Sequence, residues 1–251
     1  MTTKFITGDC LEQIKIIDSN TIDFIYFNPP YGITDCEYDK KLDWKNLWVE
    51  MWRVLTKKGS IAIHCSQPFT FDLISSQRKH LKYMWYWKKT GCVATGHLWS
   101  KYQPMRCNEE ILIFYKKHGT YNPQMILRDT PYNTKGGTYK SGYYQGDRKV
   151  MIRTPCLNKT HNFPTHHLEF KRRQHRFSTR PIELCEYFIK TYSNEGDQIL
   201  DLTCSDGQSA LACKNLNRNY IGVDLDPTMT ELAQKRVEEH IIPTIEVEAN
   251  K

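Results

Sequence analysis

The chain has 251 residues, 39% of them apolar, and its 35 Lys and Arg against 28 Asp and Glu give a formal charge of +7. That length fits one α/β core with an insertion; no apolar run approaches the roughly 18 residues of a membrane span, and Met1-Thr2-Thr3-Lys4 lacks a signal-peptide pattern, so a soluble intracellular protein is expected. The nine cysteines include no Cys-x-x-Cys pair, so neither a metal site nor a disulfide framework is indicated.

Phe5-Ile6-Thr7-Gly8-Asp9 reads as a short strand entering a loop, with a helix from Cys10 to about Ile17 behind it. Asp9 stands where it either meets a ligand at the strand end or caps that helix. The run Asp23-Phe24-Ile25-Tyr26-Phe27 is β-prone and apolar, as a buried parallel strand is, and Pro29 and Pro30 end it because prolines cannot donate to a ladder. Asn28 is thereby delivered to the carboxyl edge of the sheet, where open α/β folds bind their ligands. Asn28 offers a side-chain carbonyl there, Pro29 a main-chain carbonyl that no ladder consumes, and Tyr31 a flat aromatic face. Together they can accept the two hydrogens of a planar amino group and stack on the ring that bears it. A plain strand-to-loop turn with an Asn cap accounts for Pro-Pro but not for the whole tetrad Asn28-Pro29-Pro30-Tyr31.

Residues 33–42 read as a polar loop over this edge. Trp44, Leu47, Trp48, Met51, Trp52 and Leu55 share one helical face, a core stripe, and Lys57-Lys58-Gly59 stops that helix. A strand over 60–65, a helix over 69–76 and strands over 82–88 and 110–115 follow. The long loop between the last two carries Thr95-Gly96-His97-Leu98-Trp99 and Pro104-Met105-Arg106, and loops of that length in compact domains tend to be functional. Between Gly119 and Arg180, twelve Lys and Arg stand against three Asp and Glu, so the basic charge belongs to one segment. Tyr121, Tyr132, Tyr139, Tyr143, Tyr144, Phe163, Phe170 and Phe177 are interleaved with it. Cations for phosphate and rings for stacking favour a nucleic-acid surface over a merely solvated face. Its candidate contacts are Arg106, Lys135, Lys140, Arg148, Lys149, Arg172, Arg173 and Arg176. Without helical or strand period, 119–173 is expected to be irregular or short-stranded.

Regular structure returns with a helix over Pro181–Tyr192, a strand over Gln198–Leu202, a loop from Thr203 to Gly207 and a helix over Gln208–Leu216. A strand over Asn219–Leu225, with Asp224 at its end, and a helix from Pro227 to about His240 complete a βαβα unit. A tight loop lets backbone approach a nucleoside-bearing cofactor, and an acidic residue about 20 positions on can hold both ribose hydroxyls.

Asn28-Pro29-Pro30-Tyr31 is similar to the catalytic tetrad of amino-methyltransferases that use S-adenosylmethionine. With the tetrad first, a basic insertion next and the cofactor strand last, the whole chain resembles the permuted β-class of bacterial and phage DNA amino-methyltransferases. Ser66-Gln67-Pro68-Phe69-Thr70, Ala94-Thr95-Gly96-His97-Leu98, Phe114-Tyr115-Lys116-Lys117, the run 186–197 and Asn217-Arg218-Asn219-Tyr220-Ile221-Gly222 also look like that class. This order separates it from the glutamine methyltransferases of release factors, whose tetrad follows the cofactor region. The resemblance implies an α/β, Rossmann-like methyltransferase sheet, with residues 1–118 as its catalytic half, 119–175 as the target-recognition insertion and 176–251 as its cofactor half. It implies S-adenosylmethionine as cofactor, held by Asp9, Asp201, Thr203, Ser205, Gly207 and Asp224, and catalysis by Asn28, Pro29, Pro30 and Tyr31 on an extruded base. The tetrad of this class usually begins with Asp, and Asp or Asn tetrads go with the 6-amino group of adenine more than the Ser tetrads often seen for cytosine. The expected partners are DNA and, in a homodimer, a second copy of the chain, within the cytoplasm of a bacterium or phage-infected host and in a restriction-modification setting; neither metal nor membrane is expected.

The chain departs from that pattern in places. Ser205-Asp206-Gly207 replaces Gly-Ser-Gly in the cofactor loop, and the added carboxylate of Asp206 is expected to face the ligand's own. Arg176-Phe177-Ser178-Thr179-Arg180-Pro181 replaces His-Pro-Thr-Gln-Lys-Pro, and Asn108 replaces a histidine. Three other readings therefore stand beside adenine methylation: cytosine 4-amino methylation, a catalytically lost DNA-binding or partner subunit, and an altered donor or RNA substrate.

Overall fold

In the computed structural model, residues 1–91, 94–140, 150–172 and 180–240 are described. They divide into two compact units, Met1–Asn122 with His166–Lys251, and Pro123–Thr165. The elements of the larger unit are β1 (Thr3–Thr7), α1 (Cys10–Lys15), β2 (Ile22–Phe27), α2 (Trp44–Val54), β3 (Leu55–Cys65), α3 (Phe69–Gln77), β4 (Leu81–Thr90) and β5 (Asn108–Phe114). The smaller unit holds β6 (Ile126–Thr134), β7 (Gly137–Lys140), β8 (Val150–Arg153) and β9 (Cys156–Asn162). The larger resumes with β10 (His167–Lys171), α4 (Ile182–Tyr192), β11 (Gln198–Asp201), α5 (Gln208–Asn215), β12 (Asn219–Asp224) and α6 (Pro227–Glu239).

Among the described residues, the larger unit forms one eight-stranded sheet in the order β1-β12-β11-β2-β3-β5-β4-β10. All its pairings are parallel except those of β5 with β3 and β4. The expected α/β Rossmann-like sheet is therefore present, and β2 lies beside β11, the strand expected to lead into the cofactor loop. In the smaller unit β6 pairs with β9, and β7 with β8, both antiparallel. Residues 167–171 pair with β4 and belong to the main sheet, although sequence reading grouped them with the insertion.

The alternation of β2 assigns its faces. Ile25 and Phe27 pack with α1, α2 and α3, while Phe24 and Tyr26 pack with α4 and α5. Each buried ring of this size contributes about 1.5–3 kcal/mol, and burial on both faces is why the strand is apolar throughout. The tryptophan stripe of α2 is core, as expected: Trp48 is buried against Phe114, 4.9 Å between ring centroids, and donates its indole N–H to Ser76 Oγ at 2.9 Å. One expectation fails. Helix α2 ends at Val54, and Leu55-Thr56-Lys57-Lys58-Gly59 is extended chain in β3 rather than a helix stop. Ile22 pairs with Leu55 but Phe24 with Ser60, so residues 56–59 bulge out opposite Asp23. Asp23 holds that bulge by accepting from Thr56 Oγ1 at 3.2 Å and the Gln198 N–H at 3.0 Å.

Candidate active site

At the carboxyl end of β2 the tetrad leaves the sheet with Asn28 and Tyr31 half-buried and Pro29 buried. The Tyr31 hydroxyl donates to Asn28 Oδ1 at 3.2 Å and so fixes the amide, whose oxygen keeps a second lone pair. The Tyr31 ring stacks on Phe69, 5.2 Å between centroids and 16° between planes. Phe69 rests in turn on Trp44, which touches Phe27 and Trp48. An aromatic column from α2 thus supports one face of Tyr31. Burial, and next the nearby Glu109 carboxylate, hold the Tyr31 phenol well above its ordinary pKa, so it stays a neutral donor.

A hydroxyl in the loop after β11 ties that loop to the tetrad. Thr203 Oγ1 donates to the Asn28 main-chain carbonyl at 2.7 Å, and the Thr203 N–H donates to Asp201 Oδ1 at 3.1 Å. Asp201 is buried, and Ser209 Oγ donates to its other oxygen at 2.5 Å. Burial pushes this carboxyl up to about 6, against those hydrogen bonds and the charge of Arg180. Asp201 therefore holds the shape of the loop from within. Ser205 adopts φ +48 and Gly207 φ +80, so the loop keeps two left-handed residues even though one is Ser, at a cost of about 1 kcal/mol. Only glycine suits position 207, because a Cβ there would lie 2.8 Å from Ala233 Cβ on α6. The Ser205 N–H donates to Asp224 Oδ2 at 2.8 Å, which anchors the loop to the end of β12.

The expectation for Asp206 is overturned. Its side chain is fully buried and pairs through Oδ2 with Arg236 Nη1 of α6 at 2.7 Å, and Arg236 also donates to the Asp206 main-chain carbonyl. The carboxylate is turned into the protein, because α6 supplies its counter-charge there, and it does not face a ligand's carboxylate. S-adenosylmethionine fits these residues. The loop keeps its left-handed backbone, its extra charge is neutralised, and half-buried Asp224 stands at the strand end where ribose hydroxyls need an acceptor. Burial raises the Asp224 carboxyl, opposed by the Asp226 and Ser205 N–H groups. Asp9 is exposed and caps α1, accepting from the Leu11 and Glu12 N–H groups at 2.9 and 3.2 Å, one strand over from Asp224.

Sequence reading passed over a polar chain behind Tyr31. Tyr26 OH lies 2.8 Å from His64 Nε2, His64 Nδ1 lies 2.6 Å from Glu109 Oε1, and Lys89 Nζ lies 2.7 Å from Glu109 Oε2. Burial pushes the His64 imidazole down to about 4, so it is neutral, donating from Nδ1 to Glu109 and accepting at Nε2 from Tyr26. For Glu109, burial alone would raise the carboxyl, but the His64 hydrogen bond and Lys89 outweigh it and hold the group well below the carboxylate range. Half-buried Arg180, from the divergent phrase before α4, adds its positive charge to Tyr26, Tyr31 and Asp201. The signal available was an ionisable residue beside an apolar run: His64 follows Ile61-Ala62-Ile63, and Glu109 and Glu110 precede Ile111-Leu112-Ile113.

The proposed DNA contacts scatter. Arg106 is exposed and near the tetrad, its Nη1 donating to the Gln67 carbonyl at 3.2 Å, two residues from Phe69. Arg172 is half-buried at the end of β10, and Lys135 is exposed in the smaller unit. Lys140 falls in β7, while Arg148, Lys149, Arg173 and Arg176 lie outside the described residues. In the smaller unit, Arg128 and Lys159 lie over the Tyr132 ring at 4.2 and 5.7 Å. Among the described residues no helix is long and apolar enough to cross a membrane, and no group of His, Cys, Asp and Glu is placed to hold a metal.

The chain is similar to known proteins. The type II methyltransferase M.HpaI of Haemophilus parainfluenzae is 26% identical over 255 residues, covering 95% of this chain and 75% of that protein. The DNA adenine methyltransferase YhdJ of Escherichia coli K12 is 25% identical over 251 residues, covering 93% and 82%. The crystal structure of the M1.HpyAVI-SAM complex superposes with a TM-score of 0.62 at 20% identity, covering 94% of this chain and all of that one, which shows the shared fold. Residues 22–235 match the family model N6_N4_Mtase, described as DNA methylase, and the chain therefore belongs to the N6/N4 DNA methylase family.

Proposed function

We propose that this chain transfers the methyl group of S-adenosylmethionine to the exocyclic amino group of a base in DNA, the 6-amino group of adenine. The observation that carries this reading is the Thr203–Asn28 hydrogen bond, which holds the amino-group acceptors of the tetrad against the loop that fits the methyl donor. When bound, S-adenosylmethionine supplies an activated sulfonium methyl. Asn28 Oδ1 and the Pro29 carbonyl accept the two amino hydrogens and draw the nitrogen out of conjugation with its ring, which exposes a lone pair. Tyr31, supported by Phe69, stacks on the extruded base, whose amino group is unreachable inside the helix. Catalysis is then mainly positioning and hydrogen bonding.

Adenine is favoured over cytosine because Asn opens the tetrad, and the relative YhdJ is named as an adenine enzyme. The reading as a catalytically lost partner loses its main support now that Asp206 is paired with Arg236. In this proposal Asp9 and Asp224 border the ribose site. The unit Pro123–Thr165, with Arg128, Lys135 and Lys159, contacts the DNA target, and the enzyme works in the cytoplasm of a bacterium or phage-infected cell, alone or as a homodimer. Mass spectrometry of nucleosides from DNA incubated with the protein and S-adenosylmethionine tests it. N6-methyladenine is expected; N4-methylcytosine would move the substrate to cytosine, and no methylated base would overturn the reading.

A further inference from the structure

The loop joining β4 to β5 leaves the sheet at the edge that carries Asn28, because β4 runs parallel to β2. Its base is pinned twice. The Lys89 N–H donates to the Cys107 carbonyl at 2.8 Å, and Thr95 and Arg106 exchange backbone hydrogen bonds of 2.8 and 2.9 Å. The tip is also ordered by its own backbone: the Trp99 N–H donates to the Gly96 carbonyl, and the Tyr102 and Gln103 N–H groups donate to Trp99. Yet its large side chains are turned outward. Leu98 is 82% exposed, Trp99 61%, Tyr102 81% and Met105 45%, with the Trp99 and Tyr102 rings 6.3 Å apart.

Single exposed apolar residues need no explanation, but four within eight positions on a hydrogen-bonded tip form a patch that a soluble protein conceals unless something occupies it. Two observations and one consequence of the proposed chemistry identify the occupant. Lys101 and Arg106 place cations on the same loop, and the sequence between Leu98 and Arg106 holds no acidic residue. The Arg106 guanidinium bonds the Gln67 carbonyl, which leads through Phe69 to the stacked Tyr31. A base drawn to Tyr31 leaves a gap between two stacked neighbours and an unpaired partner, an apolar slot bordered by phosphates. Side chains that wedge between base steps are of this kind.

We infer that the tip of this loop, Leu98, Trp99 and Tyr102, enters the duplex where the target base has left it, while Lys101 holds the adjacent phosphate. The inference rests on the base-extruding methyltransferase reading, and it adds a residue set that keeps the gap open.

The test compares wild type, Trp99→Ala/Tyr102→Ala and Trp99→Phe in two assays. The first is binding to an intact duplex and to the same duplex with one nucleoside replaced by an abasic site. Wild type is expected to prefer the gapped duplex by about tenfold, the worth of one stacked ring, and the double variant to lose that preference. The second is methylation of a target base that is either correctly paired or placed opposite an abasic site. The double variant should lose about tenfold or more in kcat/KM on the paired target but little on the pre-opened one, with Trp99→Phe close to wild type. Equal losses on both targets, or a wild type without preference for the gap, would overturn the inference. So would a change in sedimentation of the double variant, which would make the patch a contact between copies of the chain. Gap preference without methylation of any DNA would uphold the loop's role and reject the methyltransferase reading instead.

Discussion

Removing the guanidinium of Arg236 tests what holds Asp206 inward in the candidate cofactor loop. In Arg236→Met the buried Asp206 carboxylate loses a counter-charge 2.7 Å away. Breaking a buried pair costs about 3–5 kcal/mol, and because the Arg236 side chain is 24% exposed the lower end applies, about 3 kcal/mol. For a chain of this size that lowers the thermal midpoint by about 6–12 °C. Asp206→Ser combined with Arg236→Met should recover most of the loss, since no carboxylate is then stranded. Urea denaturation of the three proteins measures stability, and titration calorimetry of Asp206→Asn with S-adenosylmethionine measures which way the carboxylate points. Turned inward, Asp206→Asn changes affinity by no more than about twofold. If the group lay beside the ligand's own carboxylate, its removal would tighten binding by about 1–4 kcal/mol, at least about fivefold. Fivefold tighter binding with unchanged stability would refute the inward orientation.

Asn28→Ala should reduce methyl transfer by about a hundredfold to a thousandfold, with S-adenosylmethionine and DNA affinities nearly intact; transfer of labelled methyl at wild-type rate would remove Asn28 from catalysis. His64 gives a pH signature: with its pKa depressed from 6.5 to about 4, the unfolded chain takes up a proton that the folded chain refuses between those values. Stability should therefore fall by about 3 kcal/mol as pH drops through that window, with Glu109 adding to the loss below its unfolded pKa. Urea midpoints should depend less on pH in His64→Gln, and an identical slope in the variant would point to another group. Replacing Arg128, Lys135 and Lys159 together by Ala should lower the slope of log affinity for DNA against log salt by up to about three, as read from fluorescence anisotropy. A slope equal to wild type would mean that these three residues do not lie on phosphates.

Much of the sheet edge that carries the candidate site was legible in the chain because its signals are local. Two prolines after Asp23-Phe24-Ile25-Tyr26-Phe27 stop a strand whatever surrounds them, and Asp226-Pro227 starts a helix, as the Thr228 N–H donating to Asp226 Oδ1 shows. What stayed hidden depends on partners distant in sequence. Asp206 turns inward because of Arg236, 30 residues on, and Glu109 is ionised through His64 and Lys89, 45 and 20 residues back. No local pattern predicts that a carboxylate in a tight loop points away from the ligand. Likewise, Lys57-Lys58-Gly59 has the composition of a helix stop, but its conformation is decided by Asp23 on the neighbouring strand.

The hydrogen bond from Thr203 to Asn28 spans 175 positions, and β11, which leads into the loop holding Thr203, lies between β12 and β2. On the ribosome, β1 and β2 emerge long before the strands that separate them. The nascent sheet thus presents an open edge of β2, the strand that ends in the tetrad, until the last third of the chain has been made. Such long-range closure is slow and leaves unpaired strand edges exposed during synthesis. In the proposed reading no base can be modified by a partly made chain, because the loop assigned to the methyl donor and the tetrad assigned to the amino group meet only when β11 slots into place.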